Sequence, residues 1–329
     1  MKRHSLYSTV LFIVCLPACF KVFAQHQIDT NYINRFAKTN VIEIYPGIYS
    51  TDFNFSSPNV NQRKTDYKLV ANSNAYISTN LDYKWLSLNY SWAMPGTELD
   101  ENVKLDYTSL ELSFATHKML FHPFYKSYNG LLIPVQAYND SFTVFRGIQF
   151  TNAGIDFYYF TNTKLFSFSA ARSFSLKQVK SAGSVFLMAT PAWQKINWKD
   201  PSKDLIPDSA TFNLLSQDPE WISLIARIGY TYNFIFKKGK WIIAPAILAG
   251  GGLLRETNTP DIKLQAVSNI QAWINAGYNG PNYYCYLHAW WNSLQTNLLI
   301  KNMTQVNTSI SLTAGYRFHS LKKKILGLL

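Results

Sequence analysis

Long runs of apolar–polar alternation recur in this sequence between about residues 41 and 318 and limit what it can fold into. A strand sends successive side chains to opposite faces, so alternation marks a sheet with one apolar and one polar face. In 221–236, Ile222, Leu224, Ala226, Ile228, Tyr230, Tyr232, Phe234 and Phe236 share one face. Ser223, Arg227, Gly229, Thr231 and Asn233 share the other, with Ile225 as an apolar intruder. In 306–318, Val306, Thr308, Ile310, Leu312, Ala314, Tyr316 and Phe318 oppose Asn307, Ser309, Ser311, Thr313, Gly315 and Arg317. The same pattern places Leu69, Ala71, Ile77 and Leu81 against Lys68, Ser78, Asn80, Asp82 and Lys84, and continues through 85–94 and 262–278. These runs last about ten residues or more, whereas strands of soluble domains are usually about 5–6. A tilted strand needs about 9–11 residues to cross hydrocarbon. An apolar face that ends in Tyr, Trp or Phe, backed by Ser, Thr, Asn, Gln and Gly, is the pattern of an outer-membrane barrel. Closure is required because lipid offers no partner to an open sheet edge.

The expected fold is therefore all-β: a closed antiparallel transmembrane β-barrel with a polar lumen. Further strands are predicted at 41–50, 104–116, 118–128, 146–161, 164–174, 181–193, 240–253 and 282–294. Short connections fall at Thr116-His117, Thr161-Asn162-Thr163, Lys237-Lys238-Gly239 and Asn279-Gly280-Pro281, with longer polar ones between the remaining strands. Thirteen candidates break the required even count, with the conflict placed in 175–220. The reading is 12 strands, with 14 as the alternative. Aromatic residues at 16% and charged residues at only 15% exclude a disordered chain, and 3 cysteines exclude a disulfide scaffold. No apolar run reaches the length of a spanning helix.

Residues 1–24 read as a secretory signal. Lys2 and Arg3 precede the apolar stretch Leu6–Leu16, and Val22-Phe23-Ala24 precedes cleavage before Gln25. A rival reading makes Leu16-Pro17-Ala18-Cys19 a lipoprotein box. Residues 25–40 form an N-terminal segment, 41–318 the barrel and 319–329 a short basic tail. After cleavage Cys285 is the remaining cysteine, read as a small apolar wall residue.

Tyr83-Lys84-Trp85-Leu86-Ser87-Leu88, Lys164-Leu165-Phe166-Ser167-Phe168 with Arg172, and Lys180-Ser181-Ala182-Gly183-Ser184 stand in order along the chain. Arg227-Ile228-Gly229-Tyr230-Thr231-Tyr232 and Gly315-Tyr316-Arg317-Phe318 follow them. Together these segments resemble a family of exported proteins of Bacteroidota-type bacteria, classed as a domain of unknown function and taken to form outer-membrane barrels. The resemblance covers roughly residues 40–318. It implies the fold and the compartment, and it brings no activity or site residue. A rather polar final loop and the 11 residues after Phe318 depart from the pattern.

Few residues point to chemistry. His117 and His122 are five apart, so a strand sends them to opposite faces, and no metal-ligand spacing is present. His288 shares a parity with Tyr284, Tyr286 and Trp290. It is either the base of a lipid-modifying enzyme or part of an interfacial aromatic cluster, and the second reading is preferred. Gly250-Gly251-Gly252 lacks the lysine and helix of a phosphate loop and is read as bulge or loop glycine. Asp82, Glu111, Asp156 and Arg227 fall on the lumen parity, with Lys68 and Lys84 beside Asp82. They form either a selectivity ring or a paired, plugged interior, and the second is preferred. Arg172 shares the parity of Phe166 and Phe168, which calls for a bulge or snorkelling. Tyr76, Trp273 and Trp291 are read as large lumen residues that narrow any pore.

The net charge of +12 is scattered, which argues against nucleic acid. Lys237, Lys238 and Lys240 suit anionic lipid phosphates. The sequence thus predicts an outer-membrane barrel without catalysis, structural or ligand- or lipid-binding. A small diffusion channel is the alternative, and a lipid-modifying enzyme ranks below it. No cofactor or metal is expected. The expected partners are outer-membrane lipid, lipopolysaccharide and the barrel-assembly machinery, with oligomeric state open.

Overall fold

The structure is a computed structural model that describes residues 28–56, 67–71, 75–84, 86–99, 106–116, 118–134, 142–199, 206, 209–259 and 263–320. The signal segment, the lipoprotein box, His117 and most of the basic tail lie outside these residues.

The strands are β1 (Ile33–Arg35), β2 (Asn40–Ser56), β3 (Tyr67–Ala71), β4 (Ala75–Tyr83), β5 (Leu86–Ala93), β6 (Asp106–Ala115), β7 (Met119–Pro134) and β8 (Phe142–Phe160). Then come α1 (Phe168–Arg172), β9 (Leu176–Gln178), β10 (Ala182–Trp198), α2 (Ser209–Ser216) and β11 (Glu220–Phe236). The chain ends with β12 (Trp241–Glu256), β13 (Leu264–Asn279), β14 (Tyr283–Asn297) and β15 (Asn302–Phe318).

Every strand except β1 and β9 belongs to one antiparallel sheet, and pairing of β15 with β2 closes it. β3 and β4 both pair with β2, one after the other, and are two parts of one staggered strand. The wall is therefore a closed barrel of 12 strands, as the sequence predicts. The β5–β6 hairpin is short, and beyond it Val70 and Ala71 pair directly with Leu132 and Leu131 of β7. The wall thus narrows by two strands toward that end, which shrinks the bore there.

Tight connections join Tyr83 to Leu86, Ala115 to Met119, Phe236 to Trp241 and Asn279 to Tyr283. They share one end of the barrel, the turn end, with β1 and the end of β15. The other end, the loop end, carries the connections after Ser56, Ala93, Pro134, Trp198, Glu256 and Asn297. The outer face is apolar: Ile228 is 60% exposed, Leu312 58% and Ile247 59%. Their neighbours Arg227, Ser311 and Leu248 point inward and are buried.

Among the described residues the interior holds two apolar cores. Toward the loop end, Phe53, Phe55, Leu69, Phe150, Trp221 and Ile225 pack with Leu214 and Leu215 of α2. Ile225, the apolar intruder of β11, is thus a core residue on the inward face. Toward the turn end, Tyr158, Phe160, Phe186, Trp273 and Tyr286 pack with Phe166, Ala171 and Phe174.

The structure corrects five readings. Residues 164–174 are not a strand. They belong to an excursion, 161–181, that folds into the turn-end mouth, and the odd strand count arises there and not in 175–220. The Ser167 hydroxyl accepts the Ala170 N–H at 3.1 Å and caps α1, so the local chemistry favours a helix. Lys68 does not share a face with Asp82. The register on β2 changes by one residue between β3 and β4, and a one-residue slip exchanges the two faces. Trp291 is 39% exposed and points outward, away from the bore. Gly250 to Gly252 form no bulge or loop, because they lie in the unbroken β11–β12–β13 ladder. There a Cβ on Gly250 would meet Arg227 Cα at 2.6 Å. Tyr284 and Tyr286 face the interior, at 3% and 7% exposure, so the cluster with His288 and Trp290 is not interfacial.

Candidate functional site

Between the two cores the inward parity of five neighbouring strands turns polar. Glu111 comes from β6, His122 and Lys126 from β7, Asp156 from β8, Thr190 from β10 and Arg227 from β11. His122 and Asp156 are direct cross-strand partners. His122 Nε2 lies 3.1 Å from Glu111 Oε2, and its Nδ1 lies 3.7 Å from Asp156 Oδ2. Lys126 Nζ binds the other Glu111 oxygen at 2.9 Å. The Thr190 hydroxyl donates to Asp156 Oδ1 at 2.6 Å and accepts from Arg227 Nη1 at 2.7 Å. Asp156 and Arg227 are therefore joined through one hydroxyl, and Glu111 is held by Lys126 and His122.

The last residue of α1 completes this belt. Arg172 Nη2 stands 3.5 Å from His122 Nε2. Burial works against its charge, but Tyr158, Glu111 and Asp156 hold the guanidinium above its ordinary range. Arg172 neither sits on a bulge nor snorkels: a helix of the excursion carries it inward.

A second polar group lies nearer the turn end. Tyr284 donates to Glu43 Oε1 at 2.7 Å and Asn80 Nδ2 to Glu43 Oε2 at 2.9 Å. Asn80 Nδ2 also reaches Asp82 at 3.1 Å. Arg317, fully buried, clamps the excursion to the wall. Its Nε donates to Gly280 O at 3.0 Å, and its Nη2 donates to Asn279 Oδ1 at 2.5 Å and to Phe174 O. The guanidinium stacks 3.8 Å from the Phe36 ring centre and 4.3 Å from that of Tyr284. Asn233 and Asn279 side chains add hydrogen bonds to Ser167 O and Leu176 O, both at 3.0 Å.

The four carboxylates of these two groups, Glu43, Asp82, Glu111 and Asp156, face four permanent cations, Lys126, Arg172, Arg227 and Arg317. At formal charges, with His122 and His288 counted as uncharged, the eight groups sum to zero. Buried charges are costly unless paired and hydrogen-bonded; each of the eight makes a polar contact, Lys126 and Glu111 form a direct ion pair, and Arg227 Nε and Arg317 Nη1 are buried without a partner.

The interior contacts also cross the bore. Lys126 Nζ sits 5.9 Å from the Trp290 ring on the opposite wall, and Phe168 of α1 meets Trp273 at 6.4 Å. His288 Nδ1 is paired with Asn275 Oδ1 at 2.7 Å. Asp82, Glu111, Asp156 and Arg227 thus all lie on the inner face, and the structure brings Glu111, Asp156 and Arg227 into one belt while Asp82 sits in the second group. Sequence reasoning missed Glu43, His122, Lys126 and Thr190. Glu43 was findable, because it alternates with the outward Ile42 and Ile44. Among the described residues, no group of three or more His, Cys, Asp and Glu side chains has the arrangement of a metal site.

Charge is uneven on the outside. The turn end carries Arg35, Lys38, Lys84, Lys118, Lys164, Lys177, Lys180, Lys237, Lys238 and Lys240, against Asp29 outside the interior, among the described residues. The loop end mixes signs, as in the pairs Lys68–Asp52 at 2.8 Å and Lys195–Glu220 at 3.6 Å.

The chain belongs to the family described as Domain of unknown function (DUF4421), whose model matches residues 27–318. No curated protein matches it. Among solved structures it is similar to an outer membrane channel of Pseudomonas putida F1, at 9% identity over 88% of this chain and 98% of that one, with a TM-score of 0.37. It is also similar to the outer membrane protease OmpT of Escherichia coli, at 8% identity over 88% and 100%, TM-score 0.36. The β-domain of the Bordetella autotransporter BrkA is matched at 10% identity over 84% and 100%, TM-score 0.41.

Proposed function

We propose that this DUF4421 protein is a filled, non-conducting barrel of the outer membrane that acts through its outer surfaces, structurally or by binding lipid or another ligand, without catalysis. The turn end faces the periplasm in this reading, since barrels of that membrane keep their short turns there. The membrane assignment rests on the apolar outer belt and on strands of 15 to 19 residues in the β7–β8 and β10–β15 walls.

The observation that carries the non-conducting reading is the double closure of the bore. The 161–181 excursion packs into the turn-end mouth and α2 into the loop end, with the charged belt between them. A diffusion channel needs a continuous wet path, and the side chains that cross the bore oppose one. An enzyme needs a substrate beside its reactive groups. His122 is engaged by Glu111 and His288 by an asparagine, in a layer covered at both ends, which argues for structural roles.

The test is planar-bilayer recording of the purified mature chain. The expected result is insertion without steady conductance. Large, stable single-channel steps from the unmodified protein would replace this reading with the diffusion channel.

A further inference from the structure

The turn end holds an open cleft of about 530 Å3 between the N-terminal segment, β9 and two barrel turns. This is within the size of small-molecule pockets, roughly 300–1,000 Å3. Its lining includes Arg35, Lys177 and Lys240, together with Asn279 and Pro281. None of the three cations forms an ion pair among the described residues. Like charges gathered without acids repel one another, so the cleft is a place where an anion lowers the energy of the fold.

The turn that supplies Lys240 is built to stay there. Lys237 and Lys238 adopt left-handed backbone, at φ 47° and 55°, and Gly239 follows at φ +82°. At Gly239 a Cβ would strike Gln178 O at 2.5 Å and Lys177 Cε at 2.9 Å. The absence of a side chain lets this turn lie directly on β9, which brings Lys177 and Lys240 to one cleft.

The surroundings identify the anion. Lys240 is followed by Trp241, which is 45% exposed on the outer wall and pairs edge-to-face with Tyr278 at 5.7 Å. Tyr283 and Tyr316 form a second outward pair at 5.1 Å. Exposed Trp and Tyr mark the headgroup level of a bilayer. Below them Ile243, Ile274 and Leu287 offer an apolar wall for acyl chains. We propose that the Arg35–Lys177–Lys240 cleft binds the phosphate of an anionic phospholipid in the leaflet at the turn end.

This proposal rests on the membrane reading above. The experiment places the mature chain in nanodiscs of phosphatidylcholine with a graded fraction of phosphatidylglycerol and counts retained lipid by native mass spectrometry. Arg35→Gln/Lys177→Gln/Lys240→Gln is compared with Lys84→Gln/Lys118→Gln/Lys164→Gln, which removes the same charge from the same end. All six positions are surface residues, so both variants are expected to fold, and thermal unfolding checks it. At about 1 kcal/mol per cation, the cleft variant should hold phosphatidylglycerol about a hundredfold less tightly, and the control should lose much less. Equal losses would overturn the proposal in favour of diffuse attraction. Competition by free glycerol phosphate at the affinity of the whole lipid would overturn it in favour of a soluble anion. Failure of both variants and parent to enter nanodiscs would overturn the membrane reading itself, a result separate from either.

Discussion

Arg317→Met tests whether the turn-end excursion is held in the bore. The guanidinium makes three hydrogen bonds, to Gly280 O, Asn279 Oδ1 and Phe174 O, and lies between Phe36 and Tyr284. Methionine keeps most of the volume and its contact with the two rings, so the change isolates the charge and the hydrogen bonds. Each hydrogen bond from a charged donor contributes about 1.5–3 kcal/mol, but bonds from one group are not additive. Loss of one member of a buried charge set costs about 3–5 kcal/mol, and that is the expected fall in stability, because Glu43 and Asp82 lose a compensating cation. Two of the three bonds reach the wall's own turn, at Gly280 and Asn279, and one reaches the excursion, so part of the fall is local. If about 3 kcal/mol of it opposes undocking, the undocked population rises about a hundredfold, at a factor of ten per 1.4 kcal/mol. Trypsin added from the turn end reports it through cleavage after Lys177 and Lys180. Arg317→Lys should fall between parent and Met variant, since a lysine keeps the charge without the fork. An Arg317→Met protein with unchanged urea midpoint and unchanged tryptic rate would show that the clamp does not hold the excursion.

Three further outcomes are expected. Ile228→Arg puts a charge on the outer wall and should destabilise the barrel in lipid by about 2–4 kcal/mol, whereas Ile228→Leu should be near neutral; urea titration in liposomes distinguishes them, and a tolerated arginine would mean that the belt is not in hydrocarbon. Arg227→Ala should cost about 3–5 kcal/mol by leaving Asp156 and Thr190 without their cation, and Arg227→Met combined with Asp156→Leu should recover much of it; a double variant no better than the single one would show that packing rather than pairing dominates. Leu215→Ala, in the α2 layer, should cost about 2–5 kcal/mol by leaving a cavity in the loop-end core, and a melting temperature unchanged from the parent would show that α2 does not seal that end.

How far the alternation could be read depended on what filled the other face. On β11, β13 and β15 the inward residues are mostly small and polar, so Ile228, Ile274 and Leu312 marked the outer wall without ambiguity. On β14 the inward Tyr284, Tyr286 and Trp290 are as apolar as the outward Tyr283, Leu287 and Trp291. Parity then carries no sign, and periodicity alone does not tell that the cluster around His288 faces inward. The same cause made 164–174 look like a strand: Leu165, Phe166 and Phe168 are apolar because they enter a core. Charges kept their meaning, since a carboxylate such as Asp156 between apolar outward neighbours can only face inward. Arg172 had no such signal, because its position depends on an excursion that sequence periodicity does not describe.

These errors share a physical origin that bears on function. A conducting barrel keeps its inner face polar along the whole bore, so its two parities differ in every strand. Here the difference survives in the middle of the barrel, where Glu111, Asp156 and Arg227 sit, and fades toward both ends. That is the inner profile of a protein core with a buried charge layer, in which charges are kept by pairing and hydrogen bonds. The surplus positive charge is accordingly absent from the bore and gathered outside the turn-end mouth, on Arg35, Lys177, Lys240 and the lysines around them. The cleft proposed for an anion lies within that surplus, so the same distribution that leaves the interior to matters of stability makes the turn-end surface the place to test for binding.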